Sequence, residues 1–280
     1  MLTSVFGEEL LQLLQPQVAP RTFSIYRLSL LKFTGLMGDV EVSSITPQNV
    51  ELWKNRAGVK ISPVTVSIYF RALKTLWNRA LKMGLIVGDN PFSRATDVRV
   101  LVKTPAWITQ EDHEKILKCV KGNGLKNRAS LRRLFTFLFH TGMRSNESLS
   151  LRVEDVDLKG RVVMVVATKT NTVRSVPLNS TALFSISREI EVGERTSGKI
   201  WNFTHSGATH SFLHAKRAAG ITKDITFYSY RHSFATRLLR AGCPISSVSK
   251  LLGHKQISTT MKFYAAYDTE QLRGAVDLLD

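Results

Sequence analysis

Between residues 20 and 82 the apolar positions return every three or four residues: Tyr26, Leu30, Phe33 and Met37, then Val66, Phe70, Leu73, Leu76 and Ala80. That period belongs to helices with one buried face. Thr46-Pro47 and Ser62-Pro63 each set a capping hydroxyl before a proline at the first helical position, and Gly58 and Gly84 stand where helices stop. Residues 1–92 are therefore expected to form an all-α domain of four main helices, with a shorter one over 2–14. Periodicity lapses after Asn90-Pro91, and 93–106 reads as a linker carrying Arg94, Arg99 and Lys103. Thr109-Gln110-Glu111-Asp112 opens a new helix with a capping hydroxyl and an acidic first turn, so a second domain over 107–280 follows. In it an apolar helix, Leu131 to Phe139, ends at Gly142. Two valine-rich runs, 161–166 and 173–178, flank a short turn and predict a small antiparallel hairpin, and beyond Ser206-Gly207 the pattern is helical. The fold class is thus two domains, an all-α bundle and a mainly α, mixed α+β domain. Repeats, low-complexity tracts and a glycine-rich phosphate loop are absent from the sequence.

Charge changes the picture. The net charge is +17, and the 39 Lys and Arg residues are spread along the chain instead of forming a tail. The excess must coat folded surfaces, which suits a polyanion, nucleic acid first. Arg71, Lys74, Arg79 and Lys82 lie on or beside the polar face of the last N-terminal helix, where they are candidates to grip phosphates; a plain solvated face is the alternative. Two cysteines, Cys119 and Cys243, argue against a disulfide framework and a cysteine-based zinc site. The first residues carry Glu8 and Glu9 and no basic stretch, so no secretion signal is expected, and no apolar run approaches a membrane span. The expected location is cytoplasmic and DNA-associated.

The candidate chemistry falls in five stretches: His140-Thr141-Gly142-Met143-Arg144-Ser145-Asn146-Glu147, Thr168-Lys169-Thr170, Tyr228-Ser229-Tyr230-Arg231-His232, Leu252-Gly253-His254, and Thr260-Met261-Lys262-Phe263-Tyr264. Cleaving a phosphodiester requires charge stabilisation on two oxygens, an in-line nucleophile and a proton for the leaving alkoxide, supplied by metals or by fixed cations. A two-metal site needs clustered carboxylates, whereas these stretches carry Arg, Lys and His with Glu147 the one prominent acid. Fixed cations, with no metal and no other cofactor, are the better reading. Arg144 and Arg231 suit a phosphate clamp, since a planar guanidinium offers paired donors and stays charged. Glu147, one turn beyond Arg144, is placed to aim it, although such a spacing alone describes many surface pairs. Lys169 in its turn is by itself an ordinary solvated lysine.

Together these stretches resemble the tyrosine recombinase (phage integrase) family, in the simple two-domain form. The resemblance implies a SAM-like helical core-binding domain, a catalytic domain that joins it in clamping double-stranded DNA, and a site-specific recombinase or integrase of a mobile element. Lys169 would then be the general acid for the leaving 5′ oxygen, His254 a donor to phosphate, and Tyr264 the nucleophile that forms a covalent 3′-phosphotyrosine. Tyr267, one turn on, competes with Tyr264; spacing from Gly253-His254 favours Tyr264. The resemblance further implies a monomer in solution, a homo-tetramer on paired DNA sites with accessory DNA-bending proteins, and a terminal helix over 269–279 that docks on a neighbouring protomer or on its own domain. Because the first core-binding helix is expected so near the start of the sequence, no added arm-binding domain is expected.

One departure stands out. The family's second motif runs His-x-x-Arg, and here Tyr228 occupies the histidine position. A phenol still donates a hydrogen bond but is a poorer base near neutral pH. His232 is read as a supporting group. The rival readings are a DNA-binding regulator that kept the fold and lost the chemistry, a type IB topoisomerase and, last, a metal-dependent nuclease.

Overall fold

The computed structural model describes residues 1–100, 105–167 and 172–264. By its internal packing the chain divides into two compact units, Met1–Val102 and Lys103–Asp280.

The first unit contains α1 (Thr3–Leu14), α2 (Pro20–Met37), α3 (Pro47–Gly58), α4 (Pro63–Lys82) and the short α5 (Pro91–Arg94). The expectation of four main helices besides a short first one is corrected: α1 is itself one of the four long ones. Thr46 and Ser62 cap α3 and α4 by accepting the backbone N–H groups of Asn49 and Thr65. Phe6, Phe33, Trp53, Phe70, Trp77 and Phe92 fill a continuous aromatic core, in which Trp77 and Phe92 approach to 4.7 Å. Phe92 is held there by Asn90, whose side chain donates to the Lys74 carbonyl and accepts from the Phe92 N–H. Part of the expected linker joins this core as well, since Ala95 and Val98 pack against it. An apolar side chain gains more by burial than by exposure to water wherever the chain lies, so the punctuation of the sequence ends before the packing does.

The second unit runs α6 (Gln110–Cys119), α7 (Leu125–Thr141), α8 (Ser145–Ser150), β1 (Val156–Asp157), β2 (Val162–Ala167), β3 (Thr172–Pro177), α9 (Ser180–Val192), α10 (His205–Ala218), α11 (Ser229–Arg240), α12 (Ile245–Leu252) and α13 (Ile257–Tyr264). The three strands pair antiparallel in the order β1-β2-β3. Helix α7 is the central element, with Leu131, Leu134, Phe135, Phe137, Leu138 and Phe139 all buried, and it packs against α9 and α11. Helix α9 escapes a reading by periodicity because one of its inward positions is charged. Glu189, nearly buried, accepts hydrogen bonds from Ser130 Oγ and Arg133 Nε of α7 at 2.6 and 2.7 Å.

Helix α7 ends on Gly142 with φ +60, where a Cβ would lie 2.3 Å from the Phe234 ring. Only glycine fits this left-handed, crowded stop, and the stop turns the chain so that Arg144 begins α8. Among the described residues no helix is long and apolar enough to cross a membrane.

Candidate active site

Four elements of the second unit converge on one spot. Arg144 leads into α8, Arg231 lies in the first turn of α11, His254 follows the Gly253 stop of α12, and Arg174 comes from β3.

Glu147 organises the cationic side chains. In the first turn of α8 its carboxylate accepts the Arg144 backbone N–H at 3.0 Å and Arg144 Nη1 at 2.8 Å. From the other side it takes Arg174 Nη1 at 3.1 Å and Nη2 at 2.6 Å. Burial pushes this carboxyl up, but hydrogen bonds from Arg174 and then Arg144 outweigh it and hold it at about 2. The carboxylate therefore stays charged, and it fixes two guanidiniums at once.

Arg174 is a site residue that sequence reasoning missed. Along β3 the exposed Val173 and Ser175 alternate with Arg174 and the buried Val176, so the arginine takes a core-facing position opposite the buried Val165. An arginine on the inner face of a sheet requires a buried acid, and that was the available signal. Its side chain is 15% exposed, and among the described residues its Nε has no partner. Arg174 also runs under the α12 stop: at Gly253, φ +67, an added Cβ would lie 2.8 Å from Arg174 Cδ.

Arg231 is only 2% exposed. Its Nη1 donates to the Gly142 carbonyl at 3.0 Å and its Nη2 to the Leu252 carbonyl. These acceptors lie two residues before Arg144 and two before His254, so Arg231 ties both motifs together. Burial brings its pKa down to about 10, with Arg144 and Arg174 acting the same way and Tyr228 and Glu147 opposing. It remains a cation at neutral pH.

His254 hydrogen-bonds through Nδ1 to Thr260 Oγ1 at 2.8 Å. Burial first, then Arg231, Arg144, His232 and Arg174, lowers it to about 4, so it is neutral at pH 7. Arg231, Arg144, His232 and Arg174 thus all lie within electrostatic reach of His254. His232 is likewise lowered to about 4, by burial and by Arg231, and its ring meets Tyr228 edge-on at 5.1 Å. Tyr228, 45% exposed, stands at the head of α11. Tyr264 is the last residue of α13, and its side chain lies outside what the structure describes. Lys169, Tyr267 and the expected terminal helix over 269–279 also fall outside the described residues.

The other candidate DNA contacts belong to the first unit, except Lys103. Arg71 and Lys82 are exposed on α4, while Lys74 and Arg79 are half-buried. Arg94 pairs with Asp89, Arg99 is exposed, and Lys103 lies outside the described residues. Among the described residues no cluster of three His, Cys, Asp or Glu side chains is arranged to hold a metal ion.

The phage integrase family model matches residues 106–271, which includes every group of this cluster. The chain belongs to the phage integrase (tyrosine recombinase) family. This recombinase is 27% identical over 278 residues to the tyrosine recombinase XerC of Halalkalibacterium halodurans, covering 91% of this chain and 89% of that protein. Its fold resembles the Tn1549 transposon integrase in complex with transposon right-end DNA (TM-score 0.81, 20% identity), over 100% of this chain and 99% of the other. It also resembles the lambda integrase in a tetramer bound to a Holliday junction (TM-score 0.78, 17% identity), over 94% and 77% of the two chains.

Proposed function

We propose that this recombinase breaks and rejoins double-stranded DNA at specific sites, through a covalent 3′-phosphotyrosine and without metal or ATP. The observation that carries the reading is the convergence of Arg144, Arg231 and His254 on one spot, with surplus positive charge and with α13, the helix of Tyr264, tied to it through Thr260. In this reading Arg144, Arg231 and His254 hold the non-bridging oxygens of the scissile phosphate. Fixed donors of this kind stabilise the charge that develops as phosphorus becomes five-coordinate. The Tyr264 oxygen bonds to phosphorus, the bond to the 5′ oxygen breaks, and that oxygen takes a proton from Lys169. One proton passes overall from the phenol to the 5′ hydroxyl, so the exchange needs no net acid and stores the bond energy for religation. Tyr228 donates its O–H to the same phosphate.

The substrate is DNA because the basic excess fits a phosphate backbone, and Arg71, Lys74, Arg79, Lys82, Arg94, Arg99 and Lys103 are proposed to supply backbone contacts from residues 1–106. In the tetrameric arrangement described for the lambda integrase, this chain would act as four copies on two sites. Monomers in solution, DNA-bending helpers and a cytoplasmic location belong to the same proposal.

The test is incubation with fragmented, nicked DNA in EDTA, then denaturation in detergent and a search for a covalent adduct. We expect an adduct that survives Tyr267→Phe and vanishes with Tyr264→Phe. Specific binding with no adduct from any protein would favour the regulator reading, for which Tyr228 at the histidine position is the one supporting feature.

A further inference from the structure

The hydrogen bond between His254 Nδ1 and Thr260 Oγ1 joins the turn after α12 to the helix that ends in Tyr264. Thr260 is completely buried and lies one helical turn before Tyr264. A threonine hydroxyl on a helix commonly turns back to the carbonyl four residues earlier. Here it reaches an imidazole instead.

Neutral imidazole has one donor and one acceptor, and the partner of one ring nitrogen decides which of them the other presents. Of the two directions available to this pair, hydroxyl to ring nitrogen is the stronger, because the imidazole nitrogen is the better base. It leaves the proton on Nε2. A phosphate oxygen only accepts, so a histidine in the opposite tautomer would turn a lone pair towards it and repel it.

We propose that Thr260 is a positioning residue: its hydroxyl donates to His254 Nδ1, fixes the Nε2–H tautomer, and makes that donor depend on α13 being seated. The histidine is then presented only when the helix of the nucleophile is in place. A protomer whose α13 is displaced would lose its nucleophile and a phosphate donor together. The phosphate as target of Nε2–H rests on the proposed function; the tautomer does not. His254 is uncharged at pH 7, since burial and the surrounding guanidiniums lower it to about 4, so the tautomer is an observable property there.

The first measurement is the nitrogen-15 spectrum of the full chain, labelled at histidine, at pH 7, with His254 assigned by comparison with His254→Gln. We expect the Nε2–H form in the unaltered protein and in Thr260→Ser, and a mixture or the Nδ1–H form in Thr260→Val, which is nearly equal in shape. An Nδ1–H signal in the unaltered protein, or no change in Thr260→Val, overturns the proposal. The second measurement is single-turnover cleavage of a nicked site from preformed complexes. Thr260→Val should slow the chemical step about tenfold at unchanged DNA affinity, the effect of one positioned hydrogen bond, and Thr260→Ser should recover most of it. An equal loss in both variants would reduce Thr260 to packing. If the spectra follow the expectation but even the unaltered protein forms no adduct, the proposed function fails and the tautomer assignment stands.

Discussion

Two carboxylates of the second unit are almost equally hidden, and they do different work. Glu189 is met by one arginine, Arg133, and by the hydroxyl of Ser130, all between α7 and α9. One charge answers one charge, and the pair joins two helices. Glu147 holds two arginines, Arg144 and Arg174, with Arg231 in electrostatic reach, so three guanidiniums face one carboxylate. The first arrangement is complete within the chain. The second is two positive charges in excess, and such an excess in a partly buried place is costly until an anion completes it. Burial of an ion pair therefore says little about function; the imbalance of charge does.

The largest effect should separate the two regions. Arg231→Ala should reduce cleavage by about 100-fold or more, as for loss of an oxyanion donor. It should also lower the melting temperature, since the Gly142 and Leu252 carbonyls lose their partner. Single-turnover rates and thermal melts on the same protein distinguish these losses. Next, Glu189→Ala leaves the partly buried Arg133 without its acid and should cost about 2–4 kcal/mol in denaturant unfolding, with the cleavage rate of the folded protein unaltered. A large loss of rate would break the comparison.

Arg174→Ala should lower cleavage about 10- to 100-fold, because Glu147 then holds Arg144 alone and its grip loosens. Arg174→Lys should not restore it, as an ammonium cannot make the paired contact. Acid sharpens the contrast further. Glu147 folded titrates near 2, below its unfolded value, so its contribution is present above about pH 4.5 and fades as pH falls towards 2. His113, His232 and His254 have the same sign: held at about 3 to 4 when folded, they let the unfolded chain take protons below about pH 6.5 that the folded chain refuses. Melting temperature should thus drop from pH 6.5 downwards, and Glu147→Gln should flatten the part below pH 4.5. The smallest effect belongs to the first unit, where Arg71→Ala or Lys82→Ala should weaken DNA binding modestly and lower the salt slope by about 1 each, with cleavage at saturation unaltered.

Much of this was legible in advance. Caps at Thr46, Ser62 and Thr109, stops at Gly58 and Gly142, and the valine-rich hairpin are local signals, each decided within about four residues. The Arg144, Arg231 and His254 stretches were legible for the same reason, as short runs of distinct composition. Helix α9 was not, because Glu189 occupies an inward position and only a partner 56 residues away, Arg133, makes that tolerable. The extent of the first unit was not either, since Ala95 and Val98 join its core from beyond the last periodic helix.

The sequence alone determined most of the long helices of the first unit, several helix ends, the basic excess and the kinds of group available for phosphate chemistry. The tertiary structure decided which acid faces which arginine, that Arg174 belongs with Glu147 across 27 residues, that Arg231 ties Gly142 to Leu252, and that Thr260 faces His254. The reason is physical: periodicity and capping act through bonds and neighbouring turns, whereas a buried charge takes whichever partner packing brings within 3 Å, and that distance is set only when the whole core has closed.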